Sequence, residues 1–187
     1  MSTAVDFSGG FPAPGAHTLR AGDPVDLTGP VLTLRDASAA RLARALEHGE
    51  PLPVPLDGRV LYAVGPSPAQ PGQIVGSAGP TTTGRMARYL PALFRAGVRA
   101  IIGKGELHGD DMSAFVAARA VYFAAIGGTG ALLSKRITGS SVVAYEDLGP
   151  EALYVLDLDA FPAVVIIDHA GRNFHEEARA AWRRSGP

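Results

Sequence analysis

Apolar residues in the middle of the chain recur at the spacing of an α-helix with one buried face. They are Met86, Tyr89, Leu90, Leu93, Phe94 and Gly97. Positions three or four residues apart share one side of a helix, so the pattern predicts a helix packed against a core. Thr83 is the predicted N-cap, because its hydroxyl can accept a hydrogen bond from a free N–H of the first turn. A short buried strand is predicted next, over residues 98–102, with Lys104 just beyond its carboxyl end.

Strand and helix patterns alternate along the rest of the chain. The further predicted strands cover residues 25–34, 59–64, 121–126, 141–145 and 163–167. The further predicted helices cover residues 36–48, with Asp36 as cap, 110–119, 130–136 and 174–184. Because the N-terminal third is mainly β, the pattern favours an α/β domain over a doubly wound nucleotide-binding fold.

Glycine, proline, serine and alanine dominate the first residues of the chain. Their abundance predicts a flexible N-terminal segment over residues 1–16, followed by one domain over residues 17–187. A proline-containing loop over residues 66–72 is expected to shape the entrance to a site, because binding residues often lie on loops.

The candidate chemistry lies at the start of the central helix. Free N–H groups and the positive end of the helix dipole make the threonines at 81–83 receptive to an anion. Arg85 follows within the first turn, where the dipole disfavours a cation unless an anion lies beside it. Lys104 stands between two glycines that allow a ligand to approach closely. Together these residues indicate a carboxylate site.

Two simpler interpretations compete with a carboxylate site. A phosphate-binding loop is disfavoured, because Arg85 stands where such a loop has lysine and Met86 replaces the magnesium-binding Ser or Thr. The other alternative is a capped helix with an exposed arginine and lysine, since threonine caps and surface cations are common.

Composition restricts the classes of function. With 187 residues, 47% of them hydrophobic, the chain can form one domain with a substantial core. We expect a cytoplasmic protein, since no apolar run approaches the roughly 18 residues of a membrane span and no signal-peptide pattern opens the chain. A net charge of −1 gives no electrostatic footprint for nucleic acid. The absence of cysteine excludes disulfides and thiolate metal ligands, and the five histidines lack metal-binding spacing.

The residues around the candidate site carry a resemblance to a known family. The string Gly79-Pro80-Thr81-Thr82-Thr83-Gly84-Arg85-Met86 resembles the β subunit, or C-terminal domain, of iron–sulfur class I fumarases and L-tartrate dehydratases. Other matching segments are Leu34-Arg35-Asp36-Ala37, Val64-Gly65-Pro66-Ser67-Pro68, Ile102-Gly103-Lys104-Gly105, Gly127-Gly128-Thr129-Gly130 and Ile167-Asp168-His169-Ala170-Gly171, and the segment Tyr145-Glu146-Asp147-Leu148-Gly149-Pro150-Glu151-Ala152. The resemblance covers most of the chain, from about residue 17 to about residue 175.

The resemblance implies a fold, a partner and a site. The fold would be a swivelling β/β/α domain. The family's four-iron four-sulfur cluster would be held by three cysteines of an α subunit, since this chain has none. Arg35, Arg85 and Lys104 would bind the carboxylates of a dicarboxylate or hydroxy-diacid, with Thr82 also contacting the substrate. Thr81 would handle the proton at carbon, or would only hydrogen-bond the substrate or cap the helix. No metal ligand is expected in this chain.

One departure from the family's pattern bears on activity. Ala39 stands where many members have histidine, and Thr83 and Ala87 also differ from frequent family residues. Two hypotheses therefore stay open. The chain is either the β subunit of an iron–sulfur hydro-lyase, completed by the α subunit in a hetero-oligomer, or a stand-alone binding or assembly module without chemistry. The sequence does not fix the oligomeric state, and the isolated chain could instead form a homodimer.

Overall fold

The computed structural model describes residues 1–185 as a mixed α/β fold. The strands are β1 (Thr3–Asp6), β2 (Pro24–Leu34), β3 (Val60–Ala63), β4 (Ala100–Gly103), β5 (Val121–Ala124), β6 (Ile137–Ala144) and β7 (Leu153–Ile167). The α-helices are α1 (Asp36–His48), α2 (Leu90–Arg95), α3 (Asp110–Ala118), α4 (Gly130–Leu133) and α5 (Phe174–Ser185). Short 3₁₀ helices cover Ala16–Thr18, Thr83–Tyr89, Ser134–Arg136 and Glu146–Glu151. None of the helices in this part of the chain is both long and apolar enough to cross a membrane.

The strands form one sheet that closes on itself. β1 to β5 lie side by side in chain order and are parallel. β7 pairs antiparallel with β5 and also with β2, so the sheet returns to its second strand. β1 and β6 extend the sheet outside this closed part, against β2 and β7. The α/β class is therefore confirmed, while the swivelling β/β/α assignment stays a prediction.

The central strands are buried on both faces. In β3 and β4, alternate residues belong to two separate apolar clusters, so Val60 and Tyr62 pack on one side and Leu61 and Ala63 on the other. The second cluster is covered by residues of α1, α2 and α3. Two-sided burial explains why these strands appear as short continuous apolar runs rather than alternating ones. Their prediction from the sequence is confirmed.

β7 is much longer than the strand predicted at residues 163–167. It begins at Leu153, and its first half pairs with both β2 and β6. In this half, buried Leu156 and Leu158 alternate with exposed Asp157 and Asp159. The acidic residues hide the strand in a hydrophobicity profile, although the two-residue period is present.

The predicted central helix is divided into two parts. Residues 83–89 form a 3₁₀ helix, and α2 starts only at Leu90. Pro91 lies in the first turn of α2, where its missing N–H is harmless; inside a continuous α-helix, the same residue would break a backbone hydrogen bond. The predicted apolar face is nevertheless buried at Met86, Leu90 and Leu93.

The start of α1 differs from its prediction. Arg35, not Asp36, occupies the cap position, and Asp36 is the first helical residue. The Ser38 hydroxyl accepts a hydrogen bond from the Arg35 N–H at 3.0 Å, so a serine inside the helix satisfies a free backbone group at its start. At the other end, Gly49 adopts a left-handed conformation with φ of 65°, and the helix ends there.

Residues predicted to form a flexible N-terminal segment pack into the fold. β1 pairs with β2, and Phe7 and Phe11 are buried in the same cluster as Tyr62. The ring of Phe11 meets that of Phe123 edge-on, with centroids 6.1 Å apart. The structure therefore gives this segment a place in the core.

Candidate functional site

The carboxyl ends of the parallel strands β2, β3 and β4 lie at one edge of the sheet, and the predicted site residues follow these ends. Arg35 comes directly after β2, and Lys104 directly after β4. Residues 81–83 join them by inserting between the ends of β3 and β4. The Thr81 N–H donates to the Ala63 carbonyl at 2.7 Å, and the Lys104 N–H donates to the Thr81 carbonyl at 3.2 Å. Backbone pairing therefore holds Thr81, Thr82 and Lys104 together at the carboxyl ends of parallel strands, where ligand sites of both open and closed α/β sheets are often found.

Thr83 anchors this inserted segment to the core. Its side chain is fully buried, and its hydroxyl lies 3.1 Å from that of Tyr122, which donates to the Gly105 carbonyl at 3.1 Å. Gly103 leaves the necessary space, since a β-carbon there would lie 2.0 Å from the Thr83 hydroxyl oxygen. The prediction of Thr83 as the N-cap is wrong. Thr82 takes the N-cap position, and its side chain makes no capping hydrogen bond. Thr83 does not cap the helix because its hydroxyl contacts Tyr122 inside the core.

Lys104 is half-buried. Within residues 1–185, no carboxylate forms an ion pair with its ammonium group. Its side chain passes Gly127, where a β-carbon would lie 3.7 Å from the Lys104 Nζ. A partly desolvated cation without an internal partner favours an anionic ligand.

Arg35 is held close to the sheet edge. Its Nη2 lies 3.5 Å from Oε1 of Glu151, and its Nε is buried without a hydrogen-bond partner in the described part of the chain. Gly65 makes room for the guanidinium, since a β-carbon at this glycine would lie 2.6 Å from Nη1 of Arg35. The Glu151 Oε2 also accepts the Ala37 N–H at 2.8 Å.

Arg85 is mostly exposed and has an acidic neighbour. Its Nη2 lies 2.8 Å from Oδ2 of Asp36. The sequence indicated the anion of a ligand beside this cation, whereas the structure shows that the chain's own Asp36 already lies there. Because Asp36 follows Arg35 in the chain, this ion pair connects Arg85 to the start of α1. The structure thus places all five predicted residues along one edge, linked through backbone bonds and through Asp36.

The loop predicted to shape an entrance borders a groove of about 700 Å³. Ser67, Pro68 and Gln70 form one wall, and residues of α4 and the following turn form the other. The five predicted site residues do not line this groove. Its role at an entrance stays a prediction.

Comparison with known proteins decides the family. A family model described as the fumarase C-terminus matches residues 13–178. The chain belongs to this fumarase C-terminus family. It is 31% identical over 155 residues to the aerobic class I fumarate hydratase of Escherichia coli strain K12, a match covering 82% of this chain and 28% of the relative.

Other relatives of this fumarase C-terminus chain differ in how much of their own length it covers. "Fumarate hydratase 2" of Leishmania major is 32% identical over 162 residues, 85% of this chain and 28% of the relative. The "Putative L(+)-tartrate dehydratase subunit beta" of Methanocaldococcus jannaschii is 32% identical over 165 residues, 85% of each protein. The chain thus spans about a quarter of the fumarate hydratases and most of the β subunit.

The residues of this family member do not fit an iron–sulfur cluster. The sequence contains no cysteine. Within the described residues, no three histidine or acidic side chains are grouped closely enough to hold a metal ion. Cluster iron in proteins is bound mainly by cysteine thiolates, so this chain supplies no cluster ligands of the usual kind.

Sequence reasoning missed residues that support the site from a distance. Tyr122 lies within a buried strand, and nothing in its neighbourhood signals a partner for Thr83. Asp36 and Glu151 fall inside the motifs quoted above, but their contacts with the two arginines depend on the fold. Gly65 also belongs to those motifs, and it leaves space for the Arg35 guanidinium.

Proposed function

We propose that this chain is the β-type half of an iron–sulfur hydro-lyase, which binds a dicarboxylate or hydroxy-diacid and completes the active site of an α subunit. The observation that carries the proposal is the backbone pairing of Lys104 with the exposed Thr82 and half-buried Thr81 at the carboxyl edge of the parallel strands, together with a lysine ammonium that forms no ion pair within residues 1–185. The names of the relatives, fumarate hydratases and a tartrate dehydratase β subunit, support the same class. We also propose that the closed sheet is the family's swivelling β/β/α domain.

The cations suit a substrate with two carboxylates. The Lys104 ammonium is a point charge that can pair with one of them. Arg85 contacts Asp36 through one terminal nitrogen, and its guanidinium keeps further N–H donors for the second carboxylate. Arg35 adds a third positive charge at the same edge. Thr82, whose side chain is exposed, can donate its hydroxyl proton to a substrate oxygen.

Thr81 is the proposed proton carrier at carbon. Dehydration of a hydroxy-diacid removes a proton from one carbon and a hydroxyl from its neighbour, and Thr81 would take that proton. A neutral threonine hydroxyl is too weak a base for this step, so Thr81 would act as its alkoxide, with its own proton passed beforehand to a relay partner or to solvent and the anion stabilised by positive charge close by. The backbone hydrogen bond from the Lys104 N–H to the Thr81 carbonyl makes the two residues neighbours at the sheet edge. This chain has no cysteine and so holds no cluster of its own; one held by a cysteine-bearing partner would supply a Lewis acid for the substrate hydroxyl.

The second candidate is a binding or assembly module without catalysis. Ala39, at the position where the family frequently has histidine, is fully buried among the residues of the helix-covered cluster. This position therefore offers no acid–base group. A module of this kind would bind the same diacids but turn none of them over.

Anaerobic co-expression with a cysteine-bearing α subunit tests the proposal. The cluster-loaded complex should hydrate fumarate or dehydrate L-tartrate, and Thr81→Ala should lower kcat by about 100-fold or more, as loss of a proton-transfer group does. Thr138→Ala, at an exposed threonine of β6, is the matched control and should retain activity. Binding of either acid without turnover would favour the non-catalytic module, and a loaded complex that neither binds nor converts them would refute both.

A further inference from the structure

Glu151 occupies the position where an anion would otherwise bind at the start of α1. It ends the 3₁₀ helix Glu146–Glu151, 114 residues away from Ala37, whose N–H it accepts at 2.8 Å through Oε2. Its other oxygen, Oε1, lies 3.5 Å from Nη2 of Arg35. An N–H at a helix start and an adjacent guanidinium form a typical carboxylate-binding pair, and here the chain fills it with its own side chain.

The contact with Glu151 limits which nitrogens of Arg35 can donate hydrogen bonds to a substrate carboxylate. One terminal nitrogen faces Glu151, Nε is buried, and Nη1 lies against Gly65. The guanidinium is thus enclosed on three sides, yet about a quarter of the side chain remains exposed. A free arginine side chain samples many rotamers, and a charged partner that fixes one of them lowers the cost of binding.

We propose that Glu151 is a positioning residue, which holds the Arg35 guanidinium in the orientation that receives a substrate carboxylate. The inference rests on the proposed function, because it assigns Arg35 to that substrate. Both oxygens of Glu151 contact Arg35 or the start of α1, and its negative charge disfavours direct contact with a substrate carboxylate.

A neighbouring ion pair provides a matched comparison. Asp147, in the same 3₁₀ helix, binds Arg41 of α1 through two hydrogen bonds of 2.8 and 2.7 Å. This pair ties together the same two elements but lies on exposed side chains and touches none of the proposed site residues. If Glu151 served only to fasten this turn to α1, loss of either carboxylate would have similar effects.

Nuclear magnetic resonance of the full ¹⁵N-labelled chain tests the proposal. The Arg35 Nε–H signal is identified by its loss in Arg35→Lys. Glu151→Gln keeps an oxygen that can accept the Ala37 N–H, so the variant should fold. We expect its Arg35 signal to shift or broaden, and its affinity for L-tartrate or fumarate to fall about tenfold or more, as when an orienting partner is removed. Asp147→Asn should change neither.

The Arg35 signal gives the reading that a purely structural role would not produce, because Glu151→Gln should change it and Asp147→Asn should not. An unchanged Arg35 signal and unchanged affinity in Glu151→Gln would overturn the proposal, and so would equal effects in Asp147→Asn. If the wild-type chain binds neither acid, the proposed function fails at this site, and the Arg35 signal alone decides whether Glu151 fixes the guanidinium.

Discussion

The three adjacent threonines at 81–83 have different environments and therefore different uses. Thr82 is exposed, Thr81 is half-buried, and Thr83 is fully buried beside Tyr122. Burial raises the pKa of Tyr122 to about 12, so its hydroxyl keeps its proton at neutral pH and donates it to the Gly105 carbonyl. Since that hydroxyl has one proton, Thr83 must be the donor to Tyr122. Only the first two threonines have hydroxyls free for a ligand.

Tyr122→Phe should destabilise the protein. The substitution leaves the Thr83 hydroxyl and the Gly105 carbonyl without their buried partner, which typically costs about 1–3 kcal/mol. Urea unfolding followed by circular dichroism measures the change. Tyr154→Phe is the control, because the Tyr154 hydroxyl donates to the Gly149 carbonyl at an exposed position. Equal stability losses in the two variants would contradict the importance assigned to the buried contact.

Residues 81–83 and β4 form the structural element on which the site depends. The inserted segment bonds to both Ala63 and Lys104, so a displacement of the segment moves the threonines relative to the lysine. Gly103 controls this spacing because it faces the Thr83 side chain directly.

Gly103→Ala should weaken both stability and ligand binding. Its β-carbon would overlap the Thr83 hydroxyl, and overpacking of this kind costs about 1–3 kcal/mol. Calorimetric titration with L-tartrate should show a lower affinity as the inserted segment shifts. Gly84→Ala is the matched control, because the nearest atom to its added carbon is the Glu106 carbonyl oxygen at 3.8 Å. Wild-type affinity for L-tartrate in Gly103→Ala would show that the spacing between Gly103 and Thr83 does not affect binding.

Local features of the fold could be predicted from the sequence, whereas features that depend on contacts between distant segments could not. β4 and the location of Lys104 were predictable, because an apolar run and the residue that follows it are local features. The contact between Glu151 and Ala37 was not, since it joins distant segments, and the first half of β7 was missed because its acidic residues mask the two-residue period. The first 16 residues gave a similar difficulty, because their composition is typical of flexible chain while their place in the core is set by β2 and β5.

Phe11→Ala tests whether the N-terminal residues belong to the folded core. Phe11 is only 4% exposed, so its truncation should lower the free energy of unfolding by about 3–5 kcal/mol. Phe174→Ala, at a ring that is 37% exposed, should have a clearly smaller effect. Urea unfolding compares the two variants, and a flexible N-terminal segment would instead leave the stability of Phe11→Ala unchanged.

Under the proposed function, this chain supplies one half of a dicarboxylate site. The two lysines of the chain allow a direct test. Lys104 lies at the proposed site, whereas Lys135 lies exposed beyond α4, in the groove that none of the five proposed site residues lines. An amine-acylating reagent modifies both, and mass spectrometry of the resulting peptides gives the rate at each lysine. We expect L-tartrate or fumarate to slow acylation of Lys104 and to leave Lys135 unaffected. Equal rates at Lys104 with and without both diacids would contradict the assignment of this sheet edge to substrate binding.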